Sequence, residues 1–318
     1  MRNVLFLIAV MHLALSMEDY GQGGINMGFT ENKAIISRKE MLQTIKSNLE
    51  LGNLPVVDPL FRRTDTEMLL KMGLVYSAGW GVIHYFKQKA WWANEKVPFH
   101  IYWDMDYSLE MDKVGHFYAA TLLAHAFGAG LEASNVELSK RIWYASALAL
   151  IFHTYVEIED GFAPEWGFSP PDMLSNIYGA LVPILQYYEP SLNNLRMKLS
   201  YYPRYLNTSN PMTNKPQIVI DDYEGQKYWV AAKVHNMLPE SIAQYWPPLL
   251  GVAIGMGVKD VRWSNGQRDF YLAFDIDAEE LPIDGEFWQF VKRTLNFVHF
   301  PMPGVRLTNN VAFFGLCY

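Results

Sequence analysis

The sequence predicts an α+β fold, a mainly α-helical bundle with a small β-rich C-terminal domain. The middle of the chain has two apolar, alanine-rich stretches of helical length, residues 117–131 and 142–156. From about Lys215 the pattern changes to short aromatic and β-branched runs between turn residues, which is typical of strands. Half of the 318 residues are apolar, so the chain has enough material for a large buried core.

The composition excludes several classes of protein. Charged residues make up 19% of the chain, the net charge is −7 and no cluster of lysine and arginine occurs, which argues against nucleic-acid binding. The single cysteine, Cys317, excludes an internal disulfide and a cysteine-based zinc site. A mean hydropathy of −0.03 argues against a wholly membrane-embedded bundle and leaves a membrane-associated protein open.

Residues 1–16 are typical of a cleaved signal peptide. Arg2 precedes an apolar run, residues 4–15, and Ala14-Leu15-Ser16 fits a signal-peptidase site. A short anchor or a buried helix is the alternative. We therefore expect an exported protein of the periplasm or outer membrane of a Gram-negative-type bacterium, with the inner membrane as the alternative. No cysteine lies near the predicted cleavage site, so lipid attachment is not expected there.

Residues 17–103 and 104–205 are predicted as a helical lead-in and a helical domain. The lead-in becomes polar and helical around residues 38–51, and its long helix begins near Thr64 or Asp65 and continues to Trp92. In the helical domain each apolar stretch has about 15 residues, fewer than the about 20 of a membrane span and suitable for a buried core helix. Hydropathy alone does not separate the two interpretations.

Residues 206–318 are predicted as the β-rich C-terminal domain. Asn265-Gly266 predicts a hairpin turn, and Gly251, Gly255 and Gly257 predict a bent or bulged strand. Residues 286–297 predict an amphipathic helix. The predicted strands are residues 217–220, 227–231, 250–258, 269–276 and 310–318.

Three otherwise apolar helices each carry one polar stripe. Asp112 and His116 are four residues apart, and the second and third helices repeat this spacing from His153 and from Asp172. Because an unpaired buried charge is costly, such stripes are best buried against one another. We therefore expect the following side chains to converge: Lys113, His116, Glu157, Asp160, Asp172 and Asn176.

Structural interpretations of the same residues stay open. Ser169-Pro170-Pro171-Asp172 forms a capping box, so Asp172 could do no more than complete a helix N-terminus. Lys113 could do no more than neutralise a carboxylate such as Glu157. The whole set is compatible with a structural buried network, with binding of a polar head group or cation, and with catalysis.

The residue types suit a hard or borderline cation, since they offer carboxylate oxygens and one imidazole. Acids buried to different depths could also act as acid and base. The pairs Asp104/Asp106 and Asp275/Asp277 are isolated, and no metalloprotease helix, phosphate-binding loop, dinucleotide motif or nucleophile elbow occurs. Catalytic residues, metal and cofactor are therefore left unassigned.

The motifs resemble the YfiM-like predicted periplasmic lipoprotein family, a bacterial domain of unknown function, and especially its larger envelope members. The resemblance rests on residues 112–117, 157–161 and 166–169, followed by Asp172 and Asn176, and it extends over roughly residues 75–310. The order of these motifs is more distantly similar to VanZ-like membrane proteins. His153 stands where the larger members are expected to have an amide, which weakens it as a metal ligand.

Three functional hypotheses follow. The first is a non-enzymatic structural or binding protein of the cell envelope with membrane or envelope components as partners. The second is a metal-dependent hydrolase or transferase acting on a lipid or cell-wall precursor, and the third is a VanZ-like integral membrane protein. The candidate site residues are Asp112, Lys113, His116, Glu157, Asp160, Ser169, Asp172 and Asn176.

Overall fold

In the part of the chain that the structure describes, four long helices are followed by an antiparallel sheet, so the predicted α+β class is confirmed. The computed structural model describes residues 63–92, 95–211, 214–262, 265–308 and 310–318. The predicted signal peptide and the predicted helix around residues 38–51 lie outside this range. The long helices are α1 Thr66–Ala90, α2 Met111–Ala133, α3 Leu138–Asp160 and α4 Pro170–Tyr188.

Small residues bring α2, α3 and α4 close together. Ala124, Ala149 and Ala180 lie in one buried core cluster, where they present a single methyl group each to the neighbouring helix. Gly179 on α4 lies so near α2 that an added Cβ would be 2.2 Å from the backbone oxygen of Phe117. The alanine-rich stretches are therefore core helices that pack backbone against backbone.

Within the described residues the sheet has six strands in chain order, each antiparallel to the next. The strands are β1 Leu195–Tyr201, β2 Gln226–Ala232, β3 Leu250–Lys259, β4 Gln267–Ile276, β5 Met302–Arg306 and β6 Ala312–Cys317. Two short helices, α5 Val234–Met237 and α6 Glu240–Ala243, connect β2 to β3, and α7 Glu286–Leu295 connects β4 to β5.

One face of the sheet, here the charged face, buries ionisable groups. Lys198, buried on β1, places its Nζ 2.7 Å from Oδ2 of Asp275 on β4. His299 Nδ1 is 2.9 Å from the other oxygen of Asp275, and its ring stacks on Trp229 at 3.9 Å between centroids. Val298 pairs with Leu199 at the free edge of β1, so the chain crosses the charged face before it reaches β5. This crossing segment, residues 296–301, covers the ion pairs, so that Lys198, Asp275 and His299 are buried.

The opposite face, here the apolar face, joins the sheet to the helices at one end. Tyr118 on α2 lies in a buried cluster with Tyr228 and Val258 of the sheet, and its hydroxyl donates to the carbonyl oxygen of Phe297 at 2.9 Å. Glu110, just before α2, accepts from Arg268 on β4. These contacts fix the N-terminal end of α2 on the sheet.

Several sequence-based expectations need correction. Residues 217–220 form no strand, because the Asp221 carboxylate accepts from the backbone of Ile218 and closes a turn. Of the predicted bent or bulged strand, the bulge is absent, because the pairing of β3 with β4 is continuous. Gly255 leaves room for Trp229, whose ring would lie 2.4 Å from an added Cβ. Strands β1 and β5 were not predicted. The division at residue 205 stays a prediction, and β1 lies on its N-terminal side.

Among the residues that the structure describes, no helix is both long enough and apolar enough to cross a membrane.

His125 makes the junction between α2 and α7 sensitive to pH. Its Nε2 lies 3.2 Å from the Thr294 hydroxyl, and its ring lies 5.0 Å from that of Phe297. Burial, assisted by the positive charges of Arg293 and Arg196, lowers the pKa of His125 to about 4. Since the pKa in the unfolded chain is about 6.5, protonation favours unfolding as the pH falls from about 6.5 towards 4.

We therefore expect a His125→Gln variant to lose less stability in acid than the wild type. Between pH 7.5 and about 4.5 the free energy of unfolding should fall by about 2 kcal/mol more in the wild type, since one pKa unit is about 1.4 kcal/mol. Urea unfolding at both pH values measures this difference. Equal losses in the two proteins would contradict the expectation.

Candidate functional site

The polar stripes of α2, α3 and α4 meet at one end of the helical layer. Lys113, Glu157 and Asn176, one from each helix, are buried. Asp112 and His116, on α2, are partly buried, with side-chain exposures of 13% and 19%. The structure brings together seven of the eight candidate residues, and Asp160 lies in a neighbouring group.

Lys113 is the centre of the charge pairing. Its Nζ lies 2.8 Å from Asp104 Oδ2, 2.8 Å from Asp112 Oδ2 and 2.6 Å from Asp172 Oδ1. Burial alone would lower the pKa of Lys113, but Asp112 and Asp172 hold it above its ordinary value. The ammonium group therefore stays charged and is shared by three carboxylates.

A left-handed turn places Asp104 on Lys113. Ser108, Leu109 and Glu110 have φ values of 49°, 55° and 61° between Asp104 and the start of α2. Left-handed backbone costs roughly 1–2 kcal/mol per residue other than glycine. The ion pair of Asp104 with Lys113 and that of Glu110 with Arg268 hold the two ends of this turn.

His116 is held through one ring nitrogen and directs the other towards carboxylates. Its Nδ1 lies 3.1 Å from Asn176 Oδ1 and 3.4 Å from Glu157 Oε1. Its Nε2 lies 3.7 Å from Asp112 Oδ1 and 3.9 Å from Asp172 Oδ2. These two oxygens are the ones that do not face Lys113.

Ser169 joins the cap of α4 to the cluster. Its hydroxyl accepts from the backbone N–H of Asp172 at 3.1 Å, so the predicted N-cap is confirmed, and it donates to Asp104 Oδ1 at 2.5 Å. The backbone N–H of Ser169 donates to Glu157 Oε2 at 3.3 Å. The reciprocal bond of the predicted capping box, from the Ser169 N–H to the Asp172 carboxylate, is therefore replaced by the bond to Glu157, and the Asp172 carboxylate contacts Lys113 instead.

The acidic groups differ in their tendency to ionise. Burial raises the pKa of Glu157 to about 8, with added repulsion from Asp172 and Asp160. Burial and the charge of Asp112 also raise the pKa of Asp172. For Asp112, His116 and Lys113 outweigh burial and lower the pKa. Glu157 and Asp172 therefore tend to keep a proton, whereas Asp112 tends to be ionised.

Asp160 and His153 lie at the edge of the cluster. Asp160 Oδ1 accepts from Trp92 Nε1 at 2.5 Å. Burial raises the pKa of Asp160, and the charge of the buried Lys87, which lies over the Trp91 ring, opposes this. The His153 ring is 6.2 Å from that of His116, and burial lowers its pKa to about 3, so it stays neutral. Neither residue contacts Lys113.

Sequence reasoning missed three contributors to the site. Asp104 looked like half of an isolated pair with Asp106, and Lys87 carried no motif signal. Tyr223, whose hydroxyl donates to Asp112 Oδ1 at 2.6 Å, lies 111 residues further along the chain. No spacing rule connects Tyr223 with Asp112 over this distance. Lys87 could have been found, because a lysine among apolar residues on a predicted helix indicates a buried charge.

A subset of the cluster has the donor set of a metal site. One ligand atom each of Asp112, His116 and Asp172 lies within 4.8 Å of the others. The Asp112 Oδ1, Asp172 Oδ2 and His116 Nε2 atoms form this group on the side away from Lys113. Two carboxylates and an imidazole suit borderline divalent cations.

The comparisons with known proteins place the cluster inside a matched region. Residues 102–188 match the model of a family described as a predicted periplasmic lipoprotein (DUF2279). No curated protein and no solved structure is significantly similar to the chain. The match supports a periplasmic lipoprotein-like family of unknown function and an exported, envelope location. It does not support the narrower YfiM-like or VanZ-like resemblance.

Proposed function

We propose that the protein is a non-enzymatic binding protein of the cell envelope whose helical layer holds a divalent cation between Asp112, His116 and Asp172. The observation that carries this proposal is the position of Asp112 Oδ1, Asp172 Oδ2 and His116 Nε2 around one point. The ligands come from α2 and α4, so a bound cation would join two helices of the core.

The charge balance of the cluster supports a cation. Asp104, Asp112 and Asp172 each have an oxygen within 2.8 Å of Lys113 Nζ, which carries one positive charge for these three carboxylates. Buried carboxylates that are not paired must take up protons or coordinate metal. A divalent cation beside His116 would neutralise two of them without displacing Lys113, because Lys113 uses the opposite carboxylate oxygens.

The surrounding residues are arranged as supports for the ligands. Asn176 and Glu157 hold His116 through Nδ1, which leaves Nε2 as the ligand nitrogen. Tyr223 donates to Asp112 Oδ1 and thereby orients this carboxylate. Metal-bound histidines and carboxylates are commonly oriented by such second contacts.

The location within the envelope is part of the proposal. The matched family description supports export, and the predicted signal peptide at residues 1–16 agrees with it. We place the folded chain in the periplasm or at the outer membrane, with envelope components as partners.

Isothermal titration with Mn²⁺ and Zn²⁺ tests the cation site. We expect one saturable site in the wild type and at least about tenfold weaker binding after Asp112→Asn or His116→Gln, since each variant removes one ligand charge or donor. The exposed Asp106, six residues before Asp112, provides the matched control, because Asp106→Asn should leave the affinity unchanged.

Two results would contradict the proposed site. One is the absence of saturable binding by a wild-type protein whose circular dichroism shows it folded. The other is an equal loss of affinity in Asp106→Asn and Asp112→Asn.

The hydrolase or transferase alternative requires turnover of a lipid or cell-wall precursor, and Asp112→Asn would have to abolish this turnover without unfolding the protein. Cation binding without turnover favours the binding role.

A further inference from the structure

The apolar face of the sheet carries a continuous row of apolar side chains, here the exposed row, in which all but Val305 are largely exposed to water. Register pairs Val230 with Ile254, Ile254 with Leu272, Leu272 with Val305 and Val305 with Phe313. Val230, Ile254 and Phe313 are 50%, 61% and 86% exposed. Five adjacent strands make this exposed row about 19 Å wide, at about 4.8 Å per strand.

The sheet exposes part of its apolar face to water and buries its charged face, which is the reverse of the usual arrangement. An antiparallel sheet with one solvated face normally turns polar residues to solvent and apolar residues to the core. Here the row directly beside the exposed row, Lys198–Trp229–Gly255–Tyr271–Arg306, lies on the charged face, and Lys198 and Trp229 are buried there. The exposed row is thus suited to an apolar environment.

The neighbouring positions of the apolar face extend this property. Phe270 and Phe274, two residues on either side of Leu272 on β4, are 39% and 41% exposed. Arg268 is the charged residue among the apolar-face positions of β4, and it is directed to Glu110 at the helical end. The exposed part of the face is therefore uncharged.

We propose that this uncharged part of the apolar face docks onto the hydrocarbon region of a lipid surface. Protein interfaces contain about one hydrogen bond per 100–200 Å². The side chains of the exposed row have no hydrogen-bonding atoms, and strands β2 to β5 each pair with a neighbouring strand on both sides. Lipid chains require no such partners. Contiguous exposed apolar patches of this kind mark membrane or protein contact sites.

Flotation with phosphatidylcholine vesicles tests the proposal on the full chain. We expect the wild type to float with the vesicles, and about 1 M salt should not reduce binding, because the face is uncharged. Ile254→Asp should reduce the bound fraction at least about tenfold, since charge on a lipid-facing strand position is strongly unfavourable. Ile220→Asp is the matched control, because Ile220 is 52% exposed beside Asp221 and Asp222.

A second variant and a lipid-free measurement make the test decisive. Leu272→Ser removes the side chain without adding charge and should also weaken flotation, with thermal unfolding confirming that both variants fold. Failure of the wild type to float, or an equal effect of Ile220→Asp, overturns the proposal. So does a wild-type dimer in analytical ultracentrifugation without lipid that Ile254→Asp dissociates, because a second copy then covers the face. Chelation of divalent cations should leave flotation unchanged, which separates this proposal from the cation site.

Discussion

Replacing Lys113 by methionine is expected to lower the free energy of unfolding by about 3–5 kcal/mol, the cost of leaving buried charges without their partner. The variant keeps most of the apolar stem and removes the ammonium group that Asp104, Asp112 and Asp172 share. Chemical denaturation at neutral pH measures the loss, and the midpoint of thermal unfolding should fall with it.

Lys96 provides the matched control for this experiment. It forms a comparable ion pair with Glu159 at 2.7 Å, but its side chain is 55% exposed. Exposed pairs contribute about 0–1 kcal/mol, so Lys96→Met should change stability little. Equal losses in the two variants would contradict the central role of Lys113.

If the proposed cation site is correct, Mn²⁺ should restore part of the stability of Lys113→Met, because the variant leaves an additional uncompensated negative charge.

Replacing Gly179 by alanine should destabilise the protein by about 2 kcal/mol, within the range of overpacked cores. The added methyl group would lie 2.2 Å from the Phe117 backbone oxygen and 2.9 Å from the Ala120 side chain, so α2 and α4 must move apart. This movement also stretches the bond of Thr121 Oγ1 to the Gly179 carbonyl oxygen and the contact of His116 with Asn176. Cation affinity should therefore fall together with stability.

The same substitution at Gly81 has the opposite expected effect. Gly81 lies on α1 with nothing within 4 Å of an added Cβ, so alanine there should stabilise the helix by up to about 1 kcal/mol. Urea unfolding of the two variants beside the wild type gives both values. A stabilised Gly179→Ala would show that the two helices are not in backbone contact.

Local patterns predicted the helices and the polar cluster, because both depend on helical periodicity. The spacing of Asp112 and His116 places them on one face of α2, and the cost of burying charge indicates that the stripes meet. The N-cap at Ser169 followed from side-chain chemistry within four residues. In each case the determining residues are neighbours along the chain.

Long-range contacts could not be read in the same way. Asp104 reaches Lys113 only because the left-handed turn at 108–110 reverses the chain, and such backbone is not typical of serine, leucine or glutamate. Strand β1 alternates apolar and polar residues as a half-buried strand does, and sequence reasoning overlooked it. The alternation does not show which face is buried: the polar face is buried here, because Lys198 pairs with Asp275 on β4. Strand β5 contains Pro303, which lowers strand propensity.

The crossing segment on the charged face imposes an order on folding. Phe297 accepts from Tyr118, 179 residues earlier, and Asn296 accepts from Lys198, 98 residues earlier. Contacts between such distant positions form slowly, because a long loop must close before they can form. The helical layer can assemble from nearer contacts, but Lys198 and Asp275 are enclosed only when the last part of the chain arrives. The C-terminal residues therefore complete the fold last, and a chain that ends before Asn296 should leave Lys198 and Asp275 exposed to solvent.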